Sequence, residues 1–169
     1  MLALIQYFYG LCMMRRKPQD LPPSLPLLLI LVFASLLLGL PLAADYFGSL
    51  QTALFAGVVE TVVALGLYAL PLLLTGNQAR YLQTVTALFG IGLMITLLMV
   101  VLNLLASLAG DAQGFVPLEL LLLGWAHAAF GHVWRHALDT NIFVGVGLAL
   151  SFTVAGIAVV GSLFPVPVN

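Results

Sequence analysis

Residues 85–110 read VTALFGIGLMITLLMVVLNLLASLAG, a stretch that contains no charged side chain and decides the fold. About 20 consecutive apolar residues allow a helix to cross a hydrocarbon core of about 30 Å. Strands of a membrane barrel would alternate apolar and polar residues, whereas this stretch is continuously apolar. It therefore predicts a transmembrane helix.

Four further apolar segments flank it. With boundaries uncertain by about 3 residues, the predicted spans are 26–44, 52–74, 82–108, 117–136 and 142–163. The connections between them are short, so consecutive helices are expected to be antiparallel neighbours. Pro41 and Pro71 are expected to bend or end the first two spans. The predicted fold class is all-α, a polytopic transmembrane bundle of five helices.

Composition agrees with a membrane protein. Hydrophobic residues make up 63% of the chain and charged residues 7%, against about 25% charged residues in soluble domains. A net charge of -1 offers no basic face for a nucleic acid. Cys12 is the only cysteine, which excludes an intramolecular disulfide and a thiolate metal cluster within one chain. We predict no nucleic-acid partner and no resident cofactor.

The N-terminal region is shorter than a span. MLALIQYFYGLCMM, residues 1–14, predicts a short interfacial helix with aromatic rings at headgroup depth. The basic cluster follows this run, which is the wrong order for a secretory signal. RRKPQDLPPS, residues 15–24, predicts a loop. The chain therefore divides into an interfacial helix with a basic loop, 1–24, and a five-span domain, 25–169.

The basic residues predict the topology. When the loops are numbered alternately from the N-terminus, all of them fall on one side: Arg15, Arg16, Lys17, Arg80 and Arg135. Lys and Arg accumulate on the cytoplasmic side of short loops, where they also contact anionic lipid. We expect a bacterial inner-membrane protein with a cytoplasmic N-terminus and a periplasmic C-terminus.

Two ionisable residues fall deep in the predicted spans. Glu60 lies roughly 4 Å from the centre of the second span, and His127 lies near the centre of the fourth. An unpaired charge there costs at least about 2.5 kcal/mol on insertion scales. Their similar depth predicts a Glu60–His127 pair. This pair would be a structural hydrogen bond, part of a partner-binding site or a proton relay.

Other polar residues are weaker candidates. His132 and His136 share one helix face by their spacing of four residues, while His127 points elsewhere, so one ion cannot reach all three. Val133 follows His132 where a zinc protease motif has glutamate. Asn103 and Glu119 lie nearer the outer surface and are candidates to bond each other or water.

The last span is rich in small residues, which allow helix backbones to approach closely. At intervals of four they form one row of Gly145, Ala149, Thr153 and Gly161, and a second of Gly147, Ser151 and Ala155. We expect this helix to be central to the bundle or to form a dimer.

Two stretches resemble bacterial members of the Yip family. GWAHAAFGHVWRHALDTNIFVGVGLALSFTVAGIAVV, residues 124–160, combines a tryptophan-bearing helix, an arginine at its inner end, a short polar turn and a small-residue helix. QARYLQTVTALFGIG, residues 78–92, is similar to the start of that family's third span. Eukaryotic members act in vesicle traffic and bind Rab GTPases, but their acidic-aromatic-glycine-proline signature is absent here. The resemblance implies the fold and topology.

Together these patterns favour a non-enzymatic inner-membrane scaffold or accessory subunit. It would act through helix–helix contacts with a membrane-protein partner or a second copy. One alternative is a small ion-coupled transporter using Glu60 and His127, which a water-filled cavity reaching Glu60 would favour. A second alternative is a membrane metal or haem enzyme using His132 and His136.

The topology is directly testable. A periplasmic reporter fused after Asn169 should be active and a cytoplasmic reporter at the same position silent, because five spans place the two ends on opposite sides. The reverse pattern of reporter activity would contradict the span count.

Overall fold

The computed structural model describes residues 2–165. Within that range the chain is all-α, and five of its helices are long and apolar enough to cross a membrane. The helices are α1 Leu2–Cys12, α2 Leu25–Phe47, α3 Leu50–Leu74, α4 Tyr81–Ala109, α5 Ala112–Ala137 and α6 Ile142–Leu163. The predicted five-helix bundle with a short N-terminal helix is confirmed. Residues 166–169 of the expected periplasmic end lie outside the described residues.

Side-chain caps mark where four of the five long helices, all except α4, begin. Ser24, Ser49, Asp111 and Asn141 each accept a hydrogen bond from the backbone N–H three residues further on. Such caps satisfy N–H groups that have no partner within the helix. The left-handed Gly48, with φ of 73°, ends α2, so only two residues connect α2 to α3.

The prolines affect the helix boundaries less than expected. α2 continues through Pro41 to Phe47 and α3 through Pro71 to Leu74, so neither proline ends its helix, and the expected bends stay a prediction. α5 begins at Ala112 instead of Pro117, because Asp111 caps the helix upstream of the proline. A proline within a helix removes one backbone hydrogen bond, and membrane helices tolerate this where neighbouring groups adjust.

The five long helices form a ring. α5 packs against α4 and α6, α4 against α2, and α2 against α3, while α3 closes the ring against α6. α4 packs more extensively against α2 than against α3. The interface between consecutive helices is therefore weakest between α3 and α4, although a short connection joins them.

Glycine allows the closest helix approach, between α5 and α6. A Cβ at Gly145 would overlap the carbonyl oxygen of Gly131, so the two backbones touch at this point. Ala149 on the same row is also buried. The second row differs, because Gly147 and Ser151 are exposed and Ala155 is half-buried. Gly161 is exposed as well, so the small residues of α6 serve two different faces.

The N-terminal segment, defined here as residues 2–24, docks onto α4 and α5. Trp125 Nε1 donates to the carbonyl oxygen of Cys12 at 2.8 Å, and Gln83 Nε2 donates to that of Leu21 at 2.7 Å. Phe8 packs directly over Gly90, where any Cβ would overlap its ring. The segment is thus part of the bundle, although α1 keeps an exposed apolar face formed by Leu4, Ile5 and Tyr9.

The reactivity of the Cys12 thiol measures this docking, because the thiol is buried when the segment is docked. It is 5% exposed, and burial raises the pKa of its thiol to about 11, so little reactive thiolate is present at pH 8. Since the docked state holds the neutral thiol, docking weakens as the pH rises from the ordinary thiol pKa towards 11.

Trp125→Phe removes a hydrogen bond of about 1 kcal/mol and should raise the rate of maleimide labelling at Cys12 about fivefold. The rate is followed by mass spectrometry of purified protein. Asn103→Ala, at the opposite end of the bundle, should label like the unchanged protein. An unaltered rate in Trp125→Phe would show that the segment does not depend on this contact.

Candidate intramembrane site

Glu60 is the only charged side chain of α3. Its carboxylate forms no hydrogen bond or ion pair with any other residue between 2 and 165, where the one salt bridge joins Arg80 and Asp139. A carboxylate at this position in a membrane helix is expected to be protonated, paired or in contact with water. Residues 2–165 provide no counter-charge in contact with it.

Two cavities meet at Glu60. The first, of about 270 Å³, lies between α2, α3 and α4, and the second, of about 220 Å³, lies between α3 and α6. Glu60, Ala64, Tyr68 and Phe130 line both cavities. Glu60 is exposed, and it lies at the boundary between these two spaces.

The first cavity contains an unsatisfied polar group. The Oγ of Ser35 is buried and has no hydrogen-bond partner among the described residues. Thr61, by contrast, donates to the carbonyl oxygen of Gly57 at 2.8 Å. A buried hydroxyl without a partner is costly, so water or a ligand in the cavity would stabilise Ser35.

Aromatic side chains hold the walls in place. The ring of Tyr68 lies 5.6 Å from that of Trp134 and 5.5 Å from that of Phe152, measured between centroids. Trp134 and Phe152 are 5.3 Å apart, which completes a cluster of three rings. Edge-on and tilted packing at these distances is favourable. The cluster fixes the positions of Tyr68 and Phe152 beside Glu60.

His127 does not form the predicted direct pair with Glu60. Its Nδ1 lies 2.8 Å from the carbonyl oxygen of Leu123, and its Nε2 lies 3.0 Å from Thr153 Oγ1. A carbonyl oxygen only accepts, so Nδ1 carries a proton. Thr153 lines the second cavity and lies between His127 and that space. The ring order explains the separation, because α3 packs mainly on α2 and α6 and not on α5.

His132 and His136 share a face, as their spacing predicted, with ring centroids 4.6 Å apart. His132 is buried, and its Nε2 donates to the carbonyl oxygen of Arg16 at 3.0 Å. Residues 2–165 contain no group of three His, Cys, Asp or Glu side chains that could hold a metal ion. His132 therefore helps to hold the N-terminal segment.

The basic residues meet at one end of the bundle. Arg80 Nη1 lies 2.6 Å from Asp139 Oδ2 and also donates to the carbonyl oxygens of His136 and Ala137. An exposed ion pair contributes only about 0–1 kcal/mol, but the bonds to the carbonyl oxygens satisfy the C-terminus of α5. Arg135 and the cluster at 15–17 are exposed at this same end. At the opposite end, Asn103 Nδ2 makes a long contact of 3.4 Å with Glu119 Oε1.

Sequence reasoning did not single out Ser35, Tyr68 or Phe130. The sequence does contain a signal for Tyr68. A spacing of four residues places Glu60, Ala64 and Tyr68 on one face of α3. Ser35 carries no comparable signal, since its role depends on a cavity formed by other helices.

No protein-family model, curated protein or solved structure matches this chain. The resemblance to the Yip family stays a prediction from the residue pattern. The fold and the site define a multi-pass membrane protein with one unpaired carboxylate between two cavities.

Proposed function

We propose that the protein binds a positively charged solute within the membrane and acts as a small ion-coupled carrier with Glu60 as the charged contact. The observation that carries this proposal is the unpartnered Glu60 carboxylate at the boundary of two cavities. The sequence alone favoured an accessory subunit, but a cavity reaching Glu60 supports the transporter alternative.

Exchange at one carboxylate provides the coupling. In a low-dielectric site the carboxylate is stable when it holds a proton or a cation and unstable when it holds neither. Release of one therefore favours uptake of the other. Carriers commonly place such a site between helices near the middle of the bilayer, where it can open to either side.

His127 gives the site a second protonatable group. It reaches the second cavity through Thr153, so in this proposal it takes part in proton movement without contacting the solute. We further propose that the protein lies in the inner membrane with its basic end in the cytoplasm and that it has a Yip-like fold. The grouping of the basic residues at one end supports this orientation.

Proton flux tests the carrier. In proteoliposomes with a pH-sensitive dye inside, gradients of sodium, potassium and small ammonium salts are applied in turn. At least one should drive proton movement, and Glu60→Gln should reduce the initial rate by at least about tenfold, because removing a charged partner costs about 1.5–3 kcal/mol.

Glu119→Gln is the matched control, since Glu119 lines neither cavity, and its rate should equal that of the unchanged protein. If every gradient gives the same proton movement with and without Glu60, the carrier proposal is wrong.

A second candidate function is a non-enzymatic scaffold or accessory subunit, and it rests on the outer face of α6. Gly147 has no atom of the chain within 4 Å of the position that a Cβ would take, and the neighbouring Ser151 on this row is exposed. Small exposed residues in a membrane helix allow a further helix to pack closely. The partner would be a second copy or another membrane protein.

Gly147→Leu tests this face, because the added side chain would separate the two helices. Light scattering in mild detergent should give a protein mass above that of one chain for the unchanged protein, and the 18.0 kDa mass of a single chain for the variant. Gly66→Leu makes the same change at an equally open position on α3 and should leave the complex intact. A single chain in all three samples would argue against the accessory role.

A further inference from the structure

We propose that the cavities at Glu60 bind a monovalent organic ammonium ion that has an apolar or aromatic body, an inference that rests on the proposed carrier function. It specifies the chemical class of the solute. The argument uses the charge, the oxygen donors and the aromatic rings of the two cavities.

The charge of the site matches one positive charge. Glu60 is the only carboxylate in the walls, and Tyr68 is the only other titratable side chain there. The wall residues from α2, α4, α5 and α6 carry no charge. A divalent ion would keep an uncompensated charge in a low-dielectric space, whereas a monovalent cation would be neutralised.

The donor set does not suit a bare metal ion. Calcium takes 6–8 oxygen ligands, and magnesium requires near-octahedral geometry. The first cavity offers one carboxylate and the hydroxyls of Ser35, Thr61, Thr96 and Tyr68, and the second adds only Thr153. The remaining walls are largely apolar, with leucines at positions 36, 40, 54 and 88. These walls favour a ligand whose charge is confined to one end.

Aromatic rings line the same cavities as Glu60. Tyr68 and Phe130 line both cavities, Phe89 lines the first and Phe152 the second. Cations bind favourably to aromatic faces, with estimates from about 0.5 to 2 kcal/mol. Because the cluster with Trp134 fixes Tyr68 and Phe152, these rings need little reordering when a ligand enters.

Ser35 favours an ammonium group that has N–H donors. Its buried Oγ has no partner within residues 2–165, and an N–H from the ligand would satisfy it. Glu60 and Ser35 line the same cavity, and a protonated primary or secondary amine has at least two N–H groups to offer them, while a quaternary ammonium group has none. We therefore expect protonated amines to bind more tightly than their trimethylated forms.

The test uses 2-phenylethylamine, which is protonated at pH 7, together with the neutral isostere 2-phenylethanol and the trimethylated amine. Purified full-length protein in lipid nanodiscs is titrated, and binding is followed by tryptophan fluorescence, because Trp134 contacts two wall residues. The amine should bind saturably, at least about tenfold more tightly than the alcohol.

Three variants and one control identify the contacts. Glu60→Gln should weaken amine binding at least about tenfold, while Glu60→Asp retains the charge and should bind measurably. Glu119→Gln should bind like the unchanged protein. Ser35→Ala should weaken binding of the amine several-fold and leave the trimethylated form unaffected. If Glu60→Gln fails to give a monodisperse protein, the Glu60→Asp variant and the comparison with the alcohol still show whether binding depends on charge.

Equal binding of amine and alcohol, or equal amine binding with and without the Glu60 charge, would overturn the proposal and indicate partition into lipid. Glu60-dependent proton flux driven by sodium or potassium, with no amine binding, would overturn the ammonium assignment and retain the carrier. Absence of both amine binding and Glu60-dependent flux would overturn both.

Discussion

Backbone N–H and C=O groups in lipid have no water to bond with, and this constraint explains where the few polar side chains of the chain lie. Most of them sit at helix ends. Ser24, Ser49, Asp111 and Asn141 cap helix N-termini, and Arg80 bonds the last carbonyls of α5. Because the ends account for so much of the polarity, a carboxylate in the middle of α3 is exceptional and becomes the natural focus of function.

Packing divides the bundle into a tight end and a looser middle. Lipid tails are as apolar as leucine, so close backbone contact contributes more to helix association than burial of apolar area does. At the basic end the backbones of α5 and α6 touch where Gly131 meets Gly145, and the side chain of Phe8 covers Gly90. Around Glu60, by contrast, two cavities lie between α3 and its neighbours α2, α4 and α6. The tight end can hold the helices together while space remains for a ligand.

The sequence predicted properties that depend on one helix at a time. The length of the apolar segments located the five spans. The alternation of the loops correctly predicted that Arg80 and Arg135 lie at the same end of the bundle. The start of α5 was misplaced because a side-chain cap at Asp111 outweighed the proline rule. Counting residues along each helix placed Glu60 and His127 at a similar depth in the membrane. It did not show which helices are neighbours. That order depends on contacts distant in sequence, and so does the cavity that contains Ser35.

The docking of the N-terminal segment also has a consequence for biosynthesis. Trp125 donates a hydrogen bond to the backbone carbonyl oxygen of Cys12, which lies 113 positions earlier in the sequence. At about 5–20 residues per second, the ribosome adds Trp125 about 6 to 23 seconds after Cys12. α4 is completed before α5, so the N-terminal segment can pack over Gly90 before the hydrogen bond from Trp125 is available. A chain that stops before α5 would lack the contacts of Trp125 and His132 with the segment, so α4 would have to hold it.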